Sequence, residues 1–190
     1  MVKMPSRLFG HAPITTVPTK TETLADPGGK AKLDIVRSLL ALPSERGRWR
    51  AEDWQLLRHR DAFLTVDWGL DTEEIVGQWN HLLDPEHMIS LPAPVAALTV
   101  RLSYKGHTSD VTYRASREDC FIVVVAIAQL ANAEIDTRLC RDSLGNSDLC
   151  FLPLLRAEWS QLEEAYGTAA LDQRFAQLPT NIDAFLVLLA

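Results

Sequence analysis

The longest apolar run in the chain is nine residues, Cys-Phe-Ile-Val-Val-Val-Ala-Ile-Ala over 120–128. It is too short to span a bilayer, which takes about 20 residues. It is also too apolar to leave a face in water, so the remaining elements must be arranged around it. Its β-branched residues favour a strand, because they lose rotamer freedom in a helix. Against that, Ser116-Arg-Glu-Asp119 has capping-box spacing and the pattern continues through Gln129-Leu-Ala-Asn132. The segment 116–132 is seventeen residues long, beyond an ordinary strand. A helix buried nearly all round is expected there, with Cys120 in its first turn.

Around it, Leu33, Val36, Leu39 and Leu40 recur at helical spacing before Pro43, and Trp54 and Leu57 share a face of a second, shorter segment. Asp71-Thr-Glu-Glu74 reads as a capping box that opens a helix with Ile75, Trp79, Leu82 and Leu83 as its apolar stripe. Val95–Ser103 and Ser109–Ala115 are rich in valine, threonine and tyrosine and flank a glycine-containing turn, which predicts a hairpin. Ile135, Thr137 and Leu139 alternate with Asp136, Arg138 and Cys140, the pattern of a half-exposed strand. A loop over 142–148 leads into its partner, Leu149–Leu154. Three helices follow, marked by Trp159, Leu162 and Tyr166, by Leu171, Phe175 and Leu178, and by Ile182, Phe185, Leu186 and Leu189. Gly167 ends the first of these, Pro179 follows the second, and Thr180-Asn-Ile-Asp183 caps the third.

This order predicts a single α+β domain over 30–190. Its antiparallel sheet has about four strands from two hairpins, packed with the buried central helix and several amphipathic ones. Residues 1–29, with four prolines and a Gly-Gly pair, form a flexible arm. The 47% hydrophobic and 23% charged content is that of a soluble globular protein. The N-terminus lacks the apolar stretch of a secretory signal, and no membrane association is expected. Three cysteines without CxxC spacing point to free thiols in a reducing cytoplasm, with a Cys140–Cys150 bridge as the less favoured alternative.

No nucleophile elbow, glycine-rich phosphate loop or HExxH pattern occurs, so neither catalytic residues nor a cofactor is expected. Cys120 with His107 as its base would make a small cysteine enzyme, although eight apolar residues after Cys120 favour an inert core thiol. His81, Asp84, Glu86 and His87 match no metal-ligand spacing and read as a solvated turn, so no metal site is expected. The pairs Glu73/Glu74 and Glu163/Glu164 lie on helical segments where adjacent side chains diverge, and are surface residues rather than acid–base dyads. Arg46, Arg48, Arg50, Arg58 and Arg60, with Trp49 and Trp54, have the composition of a nucleic-acid adaptor. Acidic neighbours and an acidic chain argue against nucleic acid as the partner.

Charge asymmetry carries the leading functional expectation. Residues 118–190 hold eleven acids against four arginines, a net −7, whereas residues 1–117 hold fourteen against fifteen, a net +1. No lysine follows Lys105. Glu134, Asp136, Asp142, Asp148, Glu158 and Glu163 are expected to form an acidic docking rim, with Trp159 as its aromatic anchor and Tyr166 as the alternative. Such a rim suits a basic protein partner. The expected function is a non-enzymatic inhibitor or immunity-type protein that neutralises a cationic toxin by covering its active site. The sequence leaves the oligomeric state open.

Overall fold

In the computed structural model the described residues are 27–42, 57, 59–93 and 96–189. The apolar run is a helix. Counting helices and strands in chain order among the described residues, it is α3, Asp119–Ala131, and eight of its side chains are buried. Besides Asp119 at its start, only Ile122, Ala126, Gln129 and Leu130 are partly uncovered, a stripe at helical spacing. Burial on every other side outweighs the β-preference of its valines. Half of the expected capping box forms: the Asp119 carboxylate accepts the backbone N–H groups of Ser116 at 3.2 Å and Arg114 at 2.8 Å. The Ser116 hydroxyl turns toward the same carboxylate, at 3.5 Å, and does not cap the helix.

α1 is Pro27–Ala41. α2 is Thr72–Leu82, opened by the complete Asp71/Glu74 capping box, and it buries Ile75, Val76, Trp79 and Leu82. β2, Thr99–Tyr104, and β3, His107–Thr112, form the expected hairpin. Its turn is tighter than the sequence suggested. Lys105 (φ 47°) and Gly106 (φ 82°) both take positive φ, which makes a two-residue turn whose twist matches that of the flanking strands.

β4, Ile135–Cys140, and β5, Leu149–Leu155, are the inner strands of a four-stranded antiparallel sheet in the order β1-β5-β4-β6. Its edges are β1, Leu64–Val66, and β6, Phe175–Gln177. The β2–β3 hairpin stands apart as a sheet of its own. Pro153 is tolerated in an inner strand because it lies opposite Thr137 and past Phe151, the last residue paired with β1.

α4 is Arg156–Tyr166, α5 is Thr168–Arg174 and α6 is Ile182–Leu189. Gly167, at φ 82°, separates the first two. Phe175, expected within the second of these helices, instead enters β6. There it pairs with Cys140 and sets its ring edge-on to Trp159 at 5.3 Å. Asn181 caps α6 by accepting the Ala184 N–H at 2.9 Å.

Both faces of the sheet are covered. One face carries Leu64, Val66, Ile135, Leu139, Leu149 and Phe151 beneath α2, α3, α6 and the hairpin. The other carries Cys140, Cys150, Leu152 and Leu154 beneath α1, α4 and α5. β4 is therefore not half-exposed as its alternation suggested: Trp159 and Glu163 of α4 lie over its polar face, and Arg138 is buried.

Candidate partner-docking site

The acidic residues of the expected rim have different partners and surroundings. Asp136 and Glu163 both bind Arg138, at 2.8 and 3.0 Å. Asp142 pairs with the buried Arg174, which also donates to the Leu42 carbonyl at 2.6 Å and so ties the end of α1 to the β4–β5 loop. Asp148 lies apart, sharing a hollow with Arg60, Asp67 and Gln78. Trp159 is 2% exposed, its Nε1–H donating to the Asp136 carbonyl at 2.7 Å, so it is a core residue and not a surface anchor. Tyr166 is 37% exposed. Three of the six rim carboxylates are thus paired with arginines of the same half of the chain.

Two rim residues remain beside a cleft. Glu158, in the first turn of α4, accepts the Leu155 N–H at 2.8 Å and lines a cleft of about 320 Å³ together with Asp61, His81, Asp84 and His87. Its wall is the C-terminal end of α2, where the helix dipole concentrates negative potential. Lys32 meets that end, donating to the Leu82 carbonyl at 3.1 Å from a position 4% exposed. It is the single lysine or arginine among the described lining residues. Asp61 draws His81 to 3.1 Å and His59 to 3.8 Å.

The second, Glu134, stands behind the cleft. His87 is buried, with Nδ1 at 2.9 Å from the Tyr104 hydroxyl and 3.5 Å from Glu134, and Nε2 at 3.2 Å from Glu86. Lys105 also bonds Glu134 and holds its carboxyl below the usual carboxylate range. Burial, reinforced by the Glu134 charge, pushes the Tyr104 hydroxyl up. The result is a concave surface on which Asp61, Asp84 and Glu158 are displayed, with Glu86 and Glu134 at its edge.

The cleft has the charge to hold a cationic side chain. No serine, threonine or cysteine is among its described lining residues, so these offer no hydroxyl or thiol for His81 to activate. Among the described residues no group of three or more His, Cys, Asp or Glu side chains is placed to hold a metal ion. Nor is any described helix long and apolar enough to cross a membrane.

The structure does not bring Cys120 and His107 together. Cys120 is buried beside Val100 and Tyr113, and desolvation pushes its thiol up to about 11. His107 starts β3 at the hairpin turn, a strand length of roughly 16 Å from Thr112. Of the arginine–tryptophan cluster, Arg46, Arg48, Trp49, Arg50, Trp54 and Arg58 lie outside the described residues, as do residues 1–26 of the N-terminal arm.

Asp61 and Asp84 belong to this surface although the sequence placed neither in the docking rim. Asp61 is one of the acidic neighbours of the arginine cluster, and Asp84 reads with His81, Glu86 and His87 as a solvated turn. The available signal was Asp84-Pro85 directly after the apolar stripe of α2, which sets a carboxylate beside a helix C-terminus. Comparison with protein-family models, curated proteins and solved structures finds no match.

Proposed function

We propose that this protein is a non-enzymatic binding module, an inhibitor of immunity type that acts in the cytoplasm and covers the active site of a basic protein. The observation that carries this reading is the acidic cleft: Asp61, Asp84 and Glu158 share one concave surface at the negative end of α2. A toxin domain acting on nucleic acid has to be cationic to approach phosphate. An inserted arginine or lysine would meet carboxylates already clustered, and the wider field of a chain at −6 steers the encounter. Relative to the rim expected from sequence, the docking surface keeps Glu158 and gains Asp61 and Asp84, flanked at His87 by Glu86 and by Glu134, whose charge Lys105 offsets. It loses Asp136, Asp142 and Glu163 to their arginines.

The test is association kinetics against a panel of basic nuclease domains at low and high salt. The association rate should fall by about tenfold or more as salt rises. Reversing Asp61 and Asp84 to lysine should slow it further at low salt. Association that ignores salt, or that survives both reversals unchanged, overturns the reading.

A further inference from the structure

At the opposite end of α2, about 16 Å from the acidic cleft, a second groove of about 440 Å³ opens between the N-termini of α2 and α3. We propose that this groove receives a protein segment presenting an apolar side chain flanked by lysine or arginine. The proposal stands independently of the cleft and of the inhibitor reading.

The groove is lined by Leu70, Val100, Ala96 and Ala97 together with Cys120, whose thiol donates to the Arg117 carbonyl at 3.4 Å. The polar groups inside it are already matched. Thr72 and Tyr113 share a hydroxyl–hydroxyl hydrogen bond, so an apolar guest leaves neither without a partner. Large apolar side chains continue the surface beyond the groove. Leu98, in the turn before β2, is 53% exposed. Trp68, two residues before Leu70, is 37% exposed, held edge-on to Phe121 at 4.8 Å with the Arg117 guanidinium 4.8 Å from its centroid. An apolar surface that extends past the cavity suits a chain segment better than a compact small molecule, and a pocketed apolar anchor is how protein interfaces concentrate their binding energy.

Charge decides what flanks the anchor. Asp71, Glu73 and Asp119 line the groove, and no lysine or arginine is among its described lining residues. Two helix N-termini oppose them with about half a positive charge each, roughly +1 against −3. The cap bonds of Asp71 and Asp119 to backbone N–H groups order these carboxylates without removing their charge. Asp67 and Glu118 add to the negative side nearby. Of the cations at this edge, Arg117 is 3.5 Å from Glu118, and Arg114, which faces Asp119, is bonded to Asp183 at 2.6 Å. The net field favours a cationic partner.

The probe is a short amphipathic leucine–lysine peptide titrated into the 15N-labelled full chain, with a leucine–glutamate peptide, oligolysine and octylamine as comparisons. The leucine–lysine peptide should bind saturably and shift the amides of Leu70, Glu73, Ala97 and Val100. Leu98→Asp and Glu73→Lys, both at exposed positions, should each weaken it by about tenfold. Equal binding of oligolysine would mean charge alone, equal binding of the glutamate peptide apolar contact alone, and equal binding of octylamine a small-molecule site. Each overturns the proposal, as does absence of saturation or a shift pattern centred on His81–Asp84. The cleft is tested separately by the Asp61 and Asp84 reversals, so either reading can fail while the other stands.

Discussion

The guanidinium carbon of Arg138 lies 4.0 Å from the centroid of the Trp159 ring, inside a layer that the sequence presents as the outer face of a strand. Asp136 and Glu163 hold its edges at 2.8 and 3.0 Å. The cation is nearly enclosed at 7% side-chain exposure, whereas its carboxylates keep 22% and 36%. Removing the cation is therefore expected to cost more than removing either anion, because Asp136 would remain half-enclosed and uncompensated. Arg138→Leu should destabilise the fold by about 2 kcal/mol, below the value for a fully buried pair because both carboxylates reach water. Glu163→Gln should cost about 0.5 kcal/mol. Denaturant unfolding of the two variants checks this, and equal losses would contradict the enclosed-cation account.

Ser143 substitutes for a missing ladder hydrogen bond. At the end of the β4–β5 pairing its hydroxyl donates to the Cys140 carbonyl at 2.6 Å and accepts the Cys150 N–H at 2.9 Å, from a fully buried position. Ser143→Ala keeps the packing volume nearly constant but orphans one buried donor and one buried acceptor. A loss of about 2 kcal/mol is expected, with faster amide exchange at Cys150. Unchanged exchange would mean that water or the backbone takes over the bridge.

Signals confined to a few neighbouring residues were legible in the sequence. The Asp71/Glu74 box, the glycine of the β2–β3 turn and Gly167 each fix a local conformation and needed no distant contact. The short edge strands were not legible, because three residues such as Leu64–Val66 carry no period and become a strand only by pairing with Leu149–Phe151. Alternation along Ile135–Cys140 showed correctly which residues share a face, but not that α4 closes over the polar one. The cleft was not legible for the same reason. Nearness in sequence joined Asp136, Asp142 and Asp148, whereas the fold gathers Asp61, Asp84 and Glu158 from three separate elements.

Thiol chemistry separates a core cysteine from a catalytic one. Burial pushes the Cys120 thiol up to about 11 and that of Cys140 well above its ordinary value, and all three cysteines are buried thiols. At neutral pH almost no thiolate is present to attack. Native protein should therefore react negligibly with a disulfide reagent such as DTNB and release its full thiol count only after denaturation. Cys120, at 6% exposure, should label first on partial unfolding. Rapid native labelling of Cys120 would reveal a base beside it and reopen the enzyme reading.

Acid stability follows from three exposed ion pairs. Arg101 donates two hydrogen bonds to Asp110, Lys105 bonds Glu134, and Arg114 bonds Asp183, and each bond holds its carboxyl below the ordinary range. A depressed native pKa means that the unfolded chain binds more protons near pH 4, so the stabilisation is complete above the unfolded pKa of about 4. It is lost as pH falls through the lower native values. All three pairs are solvent-screened, so the effect should shrink in about 1 M salt, where the Debye length is near 3 Å. Melting temperature should fall between about pH 5 and pH 3, and Asp110→Asn should flatten that slope while changing stability little at pH 3. A slope that Asp110→Asn leaves intact would mean that other carboxylates govern acid unfolding.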